Sequence, residues 1–257
     1  MSSIDGWDPA QYNQFAQERE QPFWDLARLV RATPSPVVVD LGCGDGRLTA
    51  RLAETLEVES MLGVDSSSAM IDDALAHASD TVRFERDDIG SWQRPGSFDV
   101  IFANASMQWV PDHPALLARW SDSLRARGQL AVQVPANADH PSHLIAAELA
   151  RELLSDPPPD VVAENVLAPE RYATILDDLG FDEQHVRLSV YAHHLGSTAD
   201  VVEWVKGTTL TRFKEPLGED GWRNFVALYQ TRLLAELGHS SPYFYPFKRI
   251  LMWARRP

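Results

Sequence analysis

Cysteine is almost absent: Cys43 is the only one in 257 residues. No internal disulfide can form, which is consistent with a reducing compartment. Positive charge is also scarce. Twenty-three Lys and Arg face 37 Asp and Glu, a formal net charge of −14. A surface of that sign repels a phosphate backbone, so nucleic acid is not an expected partner, although a local basic pocket remains open. No apolar run is long enough to cross a bilayer. No basic–apolar leader opens the chain, and the expectation is a cytoplasmic protein with no membrane partner. No internal repeat, long disordered tail or metal site is expected either.

What is present is ordinary for a globular protein: 44% hydrophobic and 23% charged residues. The length suits one α/β domain with insertions. The chain is organised around Val37-Val-Val-Asp-Leu-Gly-Cys-Gly-Asp-Gly46. The β-branched run Val37–Val39 predicts a strand covered on both faces. Gly42, Gly44 and Gly46 predict a tight turn that a ligand can approach closely. Leu48, Leu52 and Leu56 then recur with helical spacing.

A strand–glycine turn–helix unit commonly cradles a nucleotide. The dinucleotide fingerprint places its last glycine where Arg47 stands here, and the third glycine comes one residue early. Asp40, two residues before the first glycine, would repel a pyrophosphate but accepts a hydrogen bond from a cationic amine. The turn therefore suits a positively charged nucleoside such as S-adenosylmethionine. The alternative is a tight turn with no ligand.

Later strands end in the same way. Met61-Leu-Gly-Val-Asp65 ends in an acid nineteen residues after Gly46, the spacing at which a carboxylate reaches ribose hydroxyls. Ser66–Ser68 predict a cap for a helix carrying Met70 and Ile71. Val82–Arg86 leads into Asp87-Asp88-Ile89, an acid and an aliphatic group suited to an adenine edge and face. Phe98–Phe102 leads into Ala103-Asn-Ala-Ser-Met-Gln-Trp109. Any one acid is more often a helix cap or a solvated strand end. Their recurrence after successive strands fits a ligand at the carboxyl ends of an open α/β sheet.

The remaining pattern predicts a Rossmann-like, doubly wound, mostly parallel seven-stranded sheet. Residues 7–31 predict a helical lid, with Phe23, Leu26, Ala27 and Val30 on one face. A helix begins at Pro111 and continues through Leu124 to Gly128, before a fifth strand over Gln129–Val134. The core is expected to span 33–135, 169–195 and 243–257. Insertions at 136–168 and 197–242 are expected to form a helical cap over the strand ends. Strands are expected at Glu183–Leu195 and Tyr243–Arg255.

The runs VVVDLGCGDG, GVDSSSAM, FERDDIGSW and FDVIFANASMQWVPDH resemble the class I S-adenosylmethionine-dependent methyltransferases, and within them the trans-aconitate 2-methyltransferase family. Trp7-Asp-Pro, Tyr12, Phe15, Arg19 and Pro22 resemble that family's opening. Gln133-Val-Pro with Asn137, and Pro141-Ser-His143, resemble its middle, and Phe247-Lys-Arg-Ile its end. The likeness covers nearly the whole chain, and it implies that the last strand of the sheet is antiparallel. Two departures stand out: Asp45 replaces a common proline, and Leu210-Thr-Arg-Phe replaces a leucine–basic–proline run. The second lies in the cap and bears on the acceptor.

The resemblance implies cofactor contacts from Asp40, Gly42, Cys43 and Gly44 at the methionine end, and from Asp65 with Ser66 and Met70 at the ribose. Asp88 and Ile89 would meet the adenine. Asn104 and Ala105 would position the methyl-transfer line. Cys43 is read as a small packing residue, and Trp109 as packing beneath the strand end. Arg19, His143, His193 and Arg249 are the candidates for holding a small anionic acid, with Arg favoured by its planar fork.

The implied reaction methylates a carboxylate of a di- or tricarboxylic acid, most simply trans-aconitate. A carboxylate of pKa near ~4 is already ionised, so no general base is required. Two other readings remain: an O- or N-methyltransferase of another metabolite, which would need a base such as His143 or His193, and a non-catalytic cofactor-binding protein. A monomer or homodimer is expected.

Overall fold

The structure, a computed structural model, describes residues 16–257, with side chains from Glu20 onward. Tyr12 therefore lies outside the described residues, and so does the Arg19 side chain.

The first described element is helix α1 (Ala16–Ala27). Phe23, Leu26 and Ala27 are buried on it as the spacing predicts. Five parallel strands follow: β1 (Val37–Leu41), β2 (Ser60–Asp65), β3 (Val82–Arg86), β4 (Phe98–Asn104) and β5 (Leu124–Pro135). Between them run α2 (Arg47–Leu56), α3 (Ser68–Ala74) and α4 (His113–Asp122). Then come α5 (Pro141–Leu153), α6 (Val161–Asn165), α7 (Pro169–Asp178), β6 (Glu183–Leu195), α8 (Asp200–Lys206), α9 (Lys214–Leu237) and β7 (Tyr243–Arg255).

The seven strands form one sheet in the order β3-β2-β1-β4-β5-β7-β6, with β7 antiparallel to β5. The expected fold is present. The chain steps outward from β1 to β3 and then returns to the other side of β1 as β4. That reversal leaves a crevice at the carboxyl ends of β1 and β4, where open α/β sheets bind ligands. β1 is a near-continuous apolar run because both its faces are covered: Val38, Val39 and Leu41 are fully buried.

Helix α4 differs from expectation. It ends at Asp122, and Leu124 already belongs to β5. Leu124 pairs with Phe98, and the register then jumps so that Gln129 pairs with Val100. The intervening residues loop out. Arg127 takes a left-handed φ of 60°, and Arg127 N–H and Gly128 C=O bond to Pro257 and Arg256 at the chain's end. Distant backbone, which local periodicity does not report, thus replaces the last helical turn. The predicted face itself holds: Leu116, Leu117 and Trp120 are fully buried.

The chain divides into two compact units. The core unit comprises 21–135, 165–189 and 249–257. It holds α1 from Gln21 onward, β1–β5, α2–α4 and α7, with the adjoining parts of β6 and β7. The helical unit comprises 136–164 and 190–248 with the described residues 16–20. Leu149, Trp204, Phe213, Phe225, Tyr229 and Tyr245 form its buried cluster. Tyr229 Oη donates to the Ser142 carbonyl at 2.8 Å, tying α9 to the first turn of α5.

Candidate active site

The glycine turn is pinned to β2: the N–H groups of Gly42 and Cys43 both donate to the Val64 carbonyl, at 2.7 and 3.0 Å. Gly42 has a φ of +86°, and a Cβ there would lie 2.1 Å from Ser106 Cβ. Ser106 Oγ in turn donates to the Leu41 carbonyl. Only glycine lets the end of β4 clasp β1 this closely. At Gly44 the reason is different. Its φ is +56°, and nothing among the described residues lies within 4 Å of where a Cβ would stand. The space beside Gly44 is open to a ligand.

Asp65 sits at the end of β2. Its Oδ2 accepts the Gly44 N–H at 3.0 Å and its Oδ1 the Ser67 N–H at 2.9 Å. Ser67, not Ser66, caps α3: its Oγ accepts from the Met70 N–H. Ser66 is exposed and Met70 half-buried. Asp88 is exposed and folds back on the Gly90 N–H at 2.9 Å, while Ile89 beside it is buried. The Ile89 carbonyl is held by Trp120 Nε1.

Asp40 is 3% exposed and accepts from Thr49 Oγ1 at 2.6 Å. Burial pushes its carboxyl up to about 7; the Thr49 hydrogen bond opposes this and the Asp65 charge adds to it. Burial, with Asp40 and Asp65 nearby, also raises the Cys43 thiol well above its usual range, so it stays a neutral thiol.

Asn104 ends β4. Its Oδ1 is buried and has no partner among the described residues. Ala105 takes a left-handed φ of 53°, uncommon for a residue with a Cβ, and its N–H donates to the Gln133 carbonyl at 2.9 Å. Trp109 departs from expectation. It is 45% exposed, because the three-residue turn Met107–Trp109 buries Met107 and Gln108 instead.

The acceptor candidates fall in different units. Arg249, in the core unit, is buried and donates from Nη1 to Gln133 Oε1 at 3.3 Å. His143 and His193 belong to the helical unit. His193 is buried with its ring 5.1 Å from Trp204. His143 Nδ1 lies 3.4 Å from Thr209 Oγ1. Burial lowers His143 to about 4, helped by His140 and Arg212 and opposed by Asp160 and Asp139.

Four features were missed by sequence reasoning: Thr49 under Asp40, Ser106 against Gly42, the buried amides Gln108 and Gln133, and an ion pair between Arg212 and Asp160 at 2.8 Å. The amide at Gln133 had a signal. It is a polar residue inside a strand whose neighbours are all apolar and buried.

Residues 38–128 match the family model of a methyltransferase domain. A trans-aconitate 2-methyltransferase of Deinococcus radiodurans is 40% identical over 98% of both chains. The corresponding protein of Rhodococcus jostii is 37% identical over 97% of this chain and 99% of its own. The chain belongs to the trans-aconitate 2-methyltransferase family. Solved structures agree on the fold. The YcgJ protein of Bacillus subtilis superposes with a TM-score of 0.61, covering 92% of this chain and 98% of that one, at 15% identity. A Haemonchus contortus phosphoethanolamine N-methyltransferase 2 in complex with S-adenosyl-L-methionine covers all of this chain and 61% of that one, with a TM-score of 0.58 at 17% identity.

As a member of this family the chain is a methyltransferase, and its cofactor is S-adenosylmethionine. The residues present fit that group. The turn leaves open space at Gly44. Acids end β2 and follow β3, Asp40 lies one residue before the end of β1, and Asn104 at the end of β4 offers an acceptor unmet among the described residues. Acceptor-rich strand ends of this kind suit a ligand with a cationic amine and sulfonium and no phosphate.

Proposed function

We propose that this methyltransferase transfers the methyl group to a carboxylate of a small di- or tricarboxylic acid, most simply trans-aconitate. The observation that carries the reading is the full-length identity of 34–40% to proteins named trans-aconitate 2-methyltransferase. S-adenosylmethionine supplies an electrophilic methyl on a sulfonium. The acceptor oxygen forms the new C–O bond as the C–S bond breaks, giving a methyl ester and S-adenosylhomocysteine. No proton moves, because the carboxylate is already ionised.

The side chains support a reaction without a base. His143, one of the two sequence candidates for that role, is held neutral by burial at about 4 and is a poor proton acceptor at neutral pH. Rate then comes from positioning and from excluding water around the nucleophile. On this reading Asp65 holds the ribose, Asp88 and Ile89 the adenine, and Asp40 with Gly42, Cys43 and Gly44 the methionine end. Asn104 and Ala105 set the transfer line. Arg249, in the core unit, is the candidate for holding another carboxylate of the acceptor; Arg19, His143 and His193 are further candidates by resemblance.

The same reading makes the protein a cytoplasmic monomer or homodimer that acts on a small molecule. No described helix is long and apolar enough to cross a membrane.

A turnover assay tests the reading. Protein and S-adenosylmethionine are incubated with a panel of di- and tricarboxylic acids that includes trans-aconitate, and S-adenosylhomocysteine is quantified. The expected result is release dependent on trans-aconitate, with a base-labile ester as product. Cofactor binding without release on any acid would move the acceptor to another chemical class.

A further inference from the structure

Gln133 stands at the carboxyl end of β5, with Asn104 of β4 as its Cα partner on one side and Leu251 of β7 on the other. It is fully buried. Its amide has one defined orientation. Oε1 accepts from Arg249 Nη1 at 3.3 Å, and turning the amide over would set two donors against each other. The turn that satisfies Oε1 leaves Nε2 without any acceptor among the described residues. A buried, unmet donor costs stability, and such groups persist where a ligand meets them.

Gln133 is not isolated. Asn104 Oδ1 and Gln108 Oε1 are also buried and unmet among the described residues. Gln108 is oriented by its own Nε2, which donates to the Ala105 carbonyl at 2.7 Å. Two amides oriented by their own hydrogen bonds, Gln133 and Gln108, thus leave a donor and an acceptor unmet among the described residues, and Asn104 adds a second acceptor at the end of β4. The unmet donor belongs to the amide whose Oε1 accepts from the Arg249 guanidinium. An N–H carrying a neighbouring cation's field favours an anionic oxygen over a neutral one.

We propose that Gln133 is a specificity-determining residue of the acceptor site: its Nε2, aimed by Arg249, donates a hydrogen bond to a carboxylate of the acceptor. That carboxylate is not the one methylated, since a hydrogen bond to the attacking oxygen would withdraw the charge that drives attack. Gln133 therefore distinguishes acids with an additional carboxylate from those without it. The inference rests on the carboxylate-acceptor reading above.

The test compares wild type with Gln133→Met, which keeps the side-chain length and removes the amide, and with Gln133→Glu. KM and kcat are measured for trans-aconitate and for an unsaturated dicarboxylate lacking one of its carboxylates. The cofactor Kd is measured by calorimetry and stability by thermal melting. Gln133→Met is expected to raise the KM for trans-aconitate about tenfold and to erase most of the preference for the tricarboxylate. The cofactor Kd should stay within about twofold; the melting temperature reports separately what it costs to leave Arg249 without this acceptor. Gln133→Glu should raise KM further, with partial recovery as pH falls and the new carboxylate protonates.

A purely structural Gln133 would lower the melting temperature but leave the tricarboxylate preference intact, and that pattern overturns the proposal. Should the methionine variant not fold, Gln133→Asn, which withdraws the amide by one methylene, carries the same comparison. Wild-type turnover of trans-aconitate with an unchanged preference in the variants sinks this inference alone. Wild-type protein that methylates no acid sinks the acceptor reading and this inference with it.

Discussion

Asp65 accepts the backbone N–H of Gly44 at 3.0 Å. The carboxylate that ends β2 thereby shapes the turn that follows β1. Because its other oxygen takes the Ser67 N–H, Asp65 also fixes the start of α3. On the proposed reading one side chain builds the cofactor cradle and occupies it.

Asp65→Ala should weaken S-adenosylmethionine binding by about 1–3 kcal/mol, the worth of hydrogen bonds to a charged group. It should also lower the melting temperature, because two backbone donors lose their partner. Asp65→Asn keeps the shape but offers only one acceptor oxygen, so its loss should be intermediate. Calorimetry and thermal melting together check both effects. Unchanged affinity in the alanine variant would refute the ribose assignment.

Asp40 predicts a proton linkage. Its folded carboxyl is raised to about 7, while in the unfolded chain it titrates near ~4. Between these values the folded state holds a proton that the unfolded state has lost, so this contribution to stability declines as pH rises through that window and levels off above it. A cationic ligand favours the ionised form. Binding S-adenosylmethionine near pH ~6 should therefore release protons, and affinity should rise toward neutral pH. Calorimetry in buffers of different ionisation enthalpy should show the release in wild type and not in Asp40→Asn.

Gly42→Ala and Gly44→Ala separate folding from binding. At Gly42 the added Cβ would lie 2.1 Å from Ser106 Cβ at a φ of +86°, so a loss of at least about 2 kcal/mol is expected. At Gly44 nothing among the described residues occupies the space. Only the strained backbone should count against stability, about 1 kcal/mol, while the new methyl intrudes where the ligand approaches. The ratio of cofactor affinity lost to stability lost should be larger for Gly44→Ala. Equal ratios would mean the open space at Gly44 is not the ligand's.

In the helical unit, His143→Gln should leave the pH dependence of kcat/KM unchanged between about pH 6 and 8, because a histidine lowered to about 4 does not titrate there. A limb near pH 6.5 in wild type that vanishes in the variant would restore the base-requiring alternative.

Arg212 and Asp160 are paired at 2.8 Å, with side chains 18% and 17% exposed. Arg212→Ala leaves a mostly buried carboxylate unpaired. We expect a loss of about 1–3 kcal/mol in stability, below that of a fully buried pair because solvent still reaches both groups. Replacing both residues with apolar ones of similar size should recover much of it. Thermal melts of the single and double variants measure the coupling.

Much of the fold was legible because its signals are local. The valine run at Val37–Val39, the recurrence of Leu48, Leu52 and Leu56, and the acids after each strand report burial, helical period and strand ends within a few residues. The limits of β6 and β7 read correctly from alternation and apolar content. The end of α4 did not, because Gly128 and Arg127 bond to the last residues of the chain. Trp109 misled in the same way: its size predicts burial, but the turn it closes gives the interior to Met107 and Gln108.

The sequence by itself determined the sheet's alternating plan, the glycine turn, the row of acids at successive strand ends, and the lack of an internal disulfide. These depend on residue type and spacing along one segment. Only the tertiary structure decided how the parts bond to one another. It placed Thr49 beneath Asp40, Ser106 against Gly42, and Arg249 on Oε1 of the Gln133 amide, whose Nε2 has no partner among the described residues. Each of these joins residues on different elements, from 9 positions apart at Thr49 and Asp40 to 116 at Arg249 and Gln133. Partners of that kind are set by strand register and packing, which no local pattern encodes.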